Sequence, residues 1–187
     1  MRSLFVKLMF AAGAALALAG CLVSEEPVLD ERNGKATPLR TGPHQMCPVG
    51  EDADDDDCEE IVLSVDETGL YALSSADGED DETTLRFRRI ARGGYAVQAH
   101  EDDGYVYYYG RGDHERFELV MMICGSLSAR TRDRLLARGD LESDDEDFET
   151  CVVKTLRGLK AAARDYHFGR ASDSDEAVFA FTPLPAP

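Results

Sequence analysis

The chain has 187 residues, with 37 acidic against 20 basic side chains and a formal charge of −17. Such a charge keeps a protein soluble and repels polyanions, which excludes nucleic acid and sets anionic surfaces aside as direct partners, while cationic partners stay open. The length suffices for one domain with a real core and hardly for two.

Taken in chain order, the first element is a short apolar stretch from Leu8 to Leu18, preceded by Arg2 and Lys7 and closed by Leu18-Ala19-Gly20-Cys21. A charged start, an apolar middle and small residues at a cut are the parts of a secretory signal, and the apolar part is too short to span a bilayer. Leu18-Ala19-Gly20-Cys21 resembles the lipobox of bacterial lipoprotein precursors, a resemblance confined to residues 1–21. It implies removal of residues 1–20 as a signal peptide and lipidation of Cys21, with a diacylglyceryl thioether on sulfur and a further acyl chain, such as palmitate, on the new amino group. Each buried methylene of such chains contributes about 0.8 kcal/mol, so several together hold firmly. The implied partner is a membrane, reached through the N-terminal lipid. Leu22 follows the cysteine where Asp would favour inner-membrane retention, so the expected address is the outer membrane, facing the periplasm. The mature chain would carry 18 basic and 37 acidic side chains, a charge of −19.

Residues 21–46 contain Pro27, Gly34, Pro38, Gly42 and Pro43, few large apolar residues and no period. They read as a flexible tether reaching about 25–30 Å, or alternatively Val28 and Leu29 dock onto the domain as a first strand. The globular domain is then 47–187. With Cys21 assigned to lipid, Cys47, Cys58, Cys124 and Cys151 remain, an even number that suits two disulfides in an oxidising compartment. Sequence leaves the pairing open. Cys47 with Cys58 and Cys124 with Cys151 is favoured because these pairs close the shortest loops and each brackets an acidic stretch. Their spacings do not match the short-spaced ligand pairs of structural zinc sites.

From Glu60 onward the residues alternate as strands with one buried face do. Ile61, Leu63 and Val65 share a face, and Asp66 to Gly69 turns the chain into Leu70–Ser74. Leu85 and Phe87 alternate with Arg86 and Arg88 until the phase slips at Arg89 and Ile90, the mark of a bulge. Tyr95, Val97 and Ala99 follow, then Tyr105, Tyr107 and Tyr109, then Phe117, Leu119, Met121 and Ile123. This is an antiparallel β-meander of about six strands, curved or barrel-like. Ser128 then caps a helix that stops at Gly139, and Cys151 to Val153 is a short extended piece. Leu156, Leu159, Ala163 and Tyr166 form the apolar stripe of a second helix, and Val178 to Phe181 is a final short strand. The fold class is α+β.

Familiar catalytic and metal-binding patterns fail on particular residues. Asp52, Asp54 and Asp56 alternate like the first ligands of an EF-hand, but Asp57 stands where glycine is needed and Leu63 where a bidentate Glu is needed. Weak divalent-ion binding by this loop and by Glu142–Glu149 is the remaining possibility there. His44, His100, His114 and His167 are scattered, and read as surface or loop residues. Gly125-Ser126-Leu127-Ser128 lacks the closing glycine of a nucleophile elbow. No catalytic residue, metal ligand or cofactor is therefore assigned, and the chain reads as a non-enzyme.

Two groups invite a binding role. Tyr105, Tyr107 and Tyr109 share one face of a strand; they stabilise the sheet as a cross-strand cluster or, if the sheet curls, line a small-molecule or glycan pocket. Arg86, Arg88, Arg89 and Arg92 either pair with neighbouring carboxylates or offer a docking face to an acidic envelope protein. The leading expectation is a lipid-anchored, non-enzymatic envelope lipoprotein with an acidic interaction domain. The alternative is a ligand-binding module with an aromatic-lined pocket.

Overall fold

A computed structural model describes residues 20–50, 57–76, 83–101, 104–143, 150–173 and 176–185. Its strands are β1 (Leu22–Ser24), β2 (Gly42–Pro48), β3 (Glu59–Val65), β4 (Leu70–Ser75), β5 (Thr83–Ala91), β6 (Gly94–Glu101), β7 (Gly104–Gly112), β8 (Phe117–Met121), β9 (Leu141–Glu142), β10 (Cys151–Val153) and β11 (Ala177–Pro183). Two helices, α1 (Ala129–Ala137) and α2 (Leu156–His167), complete the described elements. Residues 1–19, which hold the expected signal, and most of the two acidic loops read as weak ion sites, 51–56 and 144–149, lie outside the described residues.

Alternation along β3 to β8 supplies an apolar face, and the sheet closes on that face. The order β2-β3-β4-β5-β6-β7-β8-β11 returns to β2, an eight-stranded antiparallel barrel. Ile61 and Leu63, Tyr71 and Leu73, Leu85 and Phe87, Val97 and Ala99, Val106 and Tyr108, and Phe117 and Leu119 fill its interior from successive strands. The aromatic rings meet edge to face, Tyr71 on Phe87 at 5.1 Å and Phe87 on Phe117 at 5.7 Å between centroids, the arrangement the ring quadrupoles favour. The slip at Arg89 and Ile90 is a bulge in the β5–β6 ladder, which shifts register between Arg89 and Ala91.

The closed barrel is larger than the expected meander of about six strands, because β2 and β11 join it. Gly42–Pro48 pairs antiparallel with β3 on one side and β11 on the other. Residues 42–46 read as tether because Gly42 and Pro43 stand there among few large apolar residues with no period, and proline in a strand is the usual sign of a non-strand. Here the flanking partners supply the closure that the local residues do not announce.

α2 packs on the outer face of β5 to β7 and α1 packs on α2, forming a second core that includes Tyr107, Tyr109, Met122, Leu135, Leu159 and Tyr166. α1 starts after Ser128, and Gly139 ends its turn at φ 65°, a left-handed conformation that L side chains rarely adopt. Ser128 contributes no side-chain cap; its backbone amide instead donates to the buried Asp165 carboxylate at 2.8 Å. Thr155 caps α2 by accepting from the Gly158 amide at 3.0 Å. Asp140, fully buried, accepts from Arg157 and from Thr155, and the guanidinium beside it holds its carboxyl below the usual carboxylate range.

The structure joins Cys47 to Cys58 and Cys124 to Cys151, with Cα atoms 4.2 and 5.7 Å apart. This is the nearest-neighbour pairing. The second bridge fastens the chain just beyond β8 to the start of β10.

Candidate functional site

The expectation of a flexible tether over 21–46 is corrected. Residues 22–38 form a strap laid along the outside of the barrel, with Leu22 and Leu29 buried; Leu39 enters the interior, and residues 42–46 belong to β2. β1 pairs antiparallel with the first part of β7 and parallel with β10. The strap then crosses β6, turns at Asp30 and lays Lys35 beside Phe87 of β5, where the Ala36 amide donates to the Phe87 carbonyl at 3.0 Å. Leu39 finally enters the barrel interior, and its carbonyl accepts from the Tyr71 hydroxyl at 2.7 Å. The turn at Gly69 permits this course: a Cβ there would stand 2.9 Å from Cα of Lys35.

Three polar side chains hold the strap down. Gln98, buried on the outer face of β6, accepts from the Val28 and Leu29 amides at 2.8 and 2.7 Å and donates to the Leu29 carbonyl at 3.0 Å. Ser24 and Tyr107 join their hydroxyls at 2.6 Å. Val28 and Leu29 thus dock onto the domain, but as bends of the strap and not as its first strand, which is Leu22–Ser24. Replacing Gln98 by Met keeps the volume and removes all three bonds; each backbone group left unpaired costs about 1–3 kcal/mol. The expected result is a large rise in amide exchange over residues 22–40 with little change in the barrel strands, read by hydrogen exchange and mass spectrometry. Unchanged exchange in Q98M would show that Gln98 does not hold the strap.

The three tyrosines do not line one opening. They point outward from the barrel, whereas Tyr108 points in. Tyr107 lies under the strap and Tyr109 under α2, both buried, and burial pushes the Tyr107 phenol up to about 12. Only Tyr105 is part of a groove, a depression of about 400 Å³ between the strap and the outer faces of β5 to β7, which it shares with Arg86, Gln98 and His100. The Tyr109 hydroxyl meets Nδ1 of His167 at 2.9 Å on the other side.

The histidines stay apart in the fold. His100 and His114 are exposed and His167 is half-buried. His44 departs from the expectation of a surface residue: it is 1% exposed within β2, held by a contact from Nδ1 to the Gly42 carbonyl. Among the described residues no group of three or more His, Cys, Asp or Glu side chains is placed to hold a metal ion. No helix among them is long and apolar enough to cross a membrane.

The arginines of β5 are arranged differently from either expectation of carboxylate pairing or a flat basic face. Arg86 donates to the Thr68 carbonyl and hydroxyl, Arg88 to the Asn33 carbonyl at 3.0 Å, and Arg89 to the Ala91 carbonyl. Among the described residues none of Arg86, Arg88, Arg89 and Arg92 makes an ion pair with a carboxylate. Arg88 and Arg89 instead join Arg32 and Lys35 of the strap around a second groove of about 300 Å³. Sequence reading missed Arg32 and Lys35, because a segment taken as tether carries no expectation of position. Gln98 was missed too, since a polar residue on a strand's outer face looks solvated.

Cys21, outside both disulfides, sits at the opposite end of the barrel from Leu39. Its side chain is 1% exposed among the interior residues, with Sγ 3.1 Å from Sδ of Met121, and burial pushes its thiol up to about 11. Comparison of the chain with protein-family models, with curated proteins and with solved structures returns no match.

Proposed function

We propose that this chain is the precursor of a lipid-anchored, non-enzymatic envelope lipoprotein, whose barrel is an acidic interaction domain at the outer membrane on the periplasmic side. The observation that carries the reading is Leu18-Ala19-Gly20-Cys21 at the end of a charged and then apolar leader. Two disulfides suit a domain that matures in an oxidising compartment.

The fold adds physical conditions to that reading. A thiol buried as Cys21 is here cannot carry a diacylglyceryl group in place, so in the anchored form the first residue of the strap turns outward while pairing resumes at Leu22. With the strap fastened to the barrel, little free chain separates lipid from domain. The domain therefore rides close to the headgroups instead of standing 25–30 Å clear, the reach estimated for a flexible chain of about this length. The strand ends that flank the acidic runs 51–57, 77–82 and 102–103 lie at the same end of the barrel as Cys21. Their charge repels anionic lipid and favours cationic partners.

The alternative of a glycan or small-molecule module keeps Tyr105 of the tyrosine face, since Tyr107 and Tyr109 are covered. The deciding measurement is mass spectrometry of the mature N-terminus together with metabolic labelling by palmitate. The expected outcome is an acylated Cys21 at the first position, with label and membrane fractionation both lost in Cys21→Ala. An unmodified Cys21, or a mature chain beginning elsewhere, overturns the anchor.

A further inference from the structure

We propose that the groove between the strap and β5 is a binding site for a small multivalent oxyanion of the phosphate class, held by Arg32, Lys35, Arg88 and Arg89. The inference stands on the groove alone and does not rest on the lipid anchor.

In a chain of formal charge −17, basic side chains are outnumbered by carboxylates and would be expected to find them. Four of them nevertheless surround one groove of about 300 Å³ whose remaining wall is Asn33 and Ala36, with no acidic residue in the lining. Asp30, on the same turn, accepts from the backbone amides of Arg32 and Asn33 at 2.8 and 3.0 Å, and its charge is felt at Arg32, so it offsets part of the positive charge of the four cations. Within a Debye length of about 8 Å the groove is positive, and the more distant negative charge of the domain is largely screened. A small anion can use that local field, whereas an extended anionic surface meets the whole charge of the protein.

Arg88 is half-buried in the groove wall, and one terminal nitrogen donates to the Asn33 carbonyl at 3.0 Å. A guanidinium carries donors beyond that single bond and presents them in the fork that phosphate oxygens fit.

The site is framed before any ligand arrives. Ala36 is tied to Phe87, Asn33 to Arg88, and Arg89 to the Ala91 carbonyl across the bulge. Arg88 and Arg89 are successive residues of β5 that both border the groove, and the bulge falls just after them. Lys35 and Arg32 are exposed and free to close on a ligand.

The test uses the full chain in nonionic micelles, titrated with inorganic pyrophosphate and, at matched ionic strength, with sodium chloride. Calorimetry should give saturable one-to-one binding of pyrophosphate and none of chloride, and the Arg88 side-chain Nε–H resonance should move with saturation. Arg32→Ala with Lys35→Ala, both on exposed side chains, should weaken binding at least roughly tenfold with an unchanged urea midpoint; Arg88→Gln should weaken it too. Micelles doped with phosphatidylglycerol separate two sources of the same chemistry. A fall in apparent pyrophosphate affinity that vanishes in the double variant marks a lipid headgroup as competitor, and no fall marks a free anion as the occupant. Absence of saturable heat up to roughly 10 mM, or equal affinity in the double variant and the parent, overturns the proposal.

Discussion

Replacing Asp165 by Ala should destabilise the domain by about 3 kcal/mol, measured by urea denaturation. Asp165 is fully buried on α2, and its two oxygens accept from the Ser128 amide at 2.8 Å, the Thr131 hydroxyl at 2.9 Å and Nε of Arg170 at 2.8 Å. One carboxylate therefore supplies the missing N-terminal cap of α1, joins α1 to α2 and holds the chain after α2. Removing it leaves a helix-terminal amide and a buried hydroxyl without acceptors, each worth about 1–3 kcal/mol. The Arg170 side chain is 52% exposed and returns to water, so its share is small. The total therefore falls at the lower part of the 3–5 kcal/mol typical of broken buried pairs. For a domain of this size the melting temperature should fall by about 6–12 °C. Asp165→Asn keeps one acceptor oxygen and should lose roughly half as much. An Ala variant within about 0.5 kcal/mol of the parent would show that the helices are held by packing alone.

Removing the Cys124–Cys151 bridge should cost about 3.5 kcal/mol, and removing Cys47–Cys58 about 2.8 kcal/mol, on the chain-entropy relation. The difference follows from loop length, with sequence separations of 27 and 11. Cys124→Ala with Cys151→Ala is the suitable variant, since both cysteines are fully buried and serine would add unpaired hydroxyls. The bridge fastens β10 beside β1, so its loss should also loosen the strap. Amide exchange over residues 20–26 should rise in this variant and not in Cys47→Ala with Cys58→Ala. The reverse order of the two losses, or equal effects on the strap, would contradict the placement of the second bridge.

Much of the fold was legible in the residues because it depends on near neighbours. The alternation of Ile61, Leu63 and Val65, or of Phe117 and Leu119, reports one buried face whatever lies across from it. The phase slip at Arg89 and Ile90 is likewise a local irregularity, and it is where the β5–β6 ladder bulges. Gly139 and the stripe Leu156, Leu159, Ala163 and Tyr166 mark a helix stop and a helix face directly.

The candidate sites were less legible, for a reason visible in single residues. Tyr105, Tyr107 and Tyr109 occupy equivalent positions on one strand face, yet the first borders a groove while the other two are buried under the strap and α2. What covers a side chain is set by segments far away in sequence. Arg88 shows the same from the other direction. Its groove partners Arg32 and Lys35 lie more than fifty residues earlier, with the Arg88–Asn33 contact spanning 55 positions, and no periodicity links them.

By itself the sequence determined the lipobox-like leader, the acidic balance, the strand phases from Glu60 onward, both helices and a preference for the two short-loop disulfides. These follow from residue type and spacing over a turn or a strand. Only the tertiary structure decided that Gly42–Pro48 is a barrel strand, that residues 22–38 are a strap and not a tether, and that four basic side chains meet in one groove. Each of those outcomes depends on long-range pairing. A proline-containing segment becomes a strand only when β3 and β11 stand on either side of it, and a polar Gln98 becomes a clamp only when Val28 and Leu29 arrive above it.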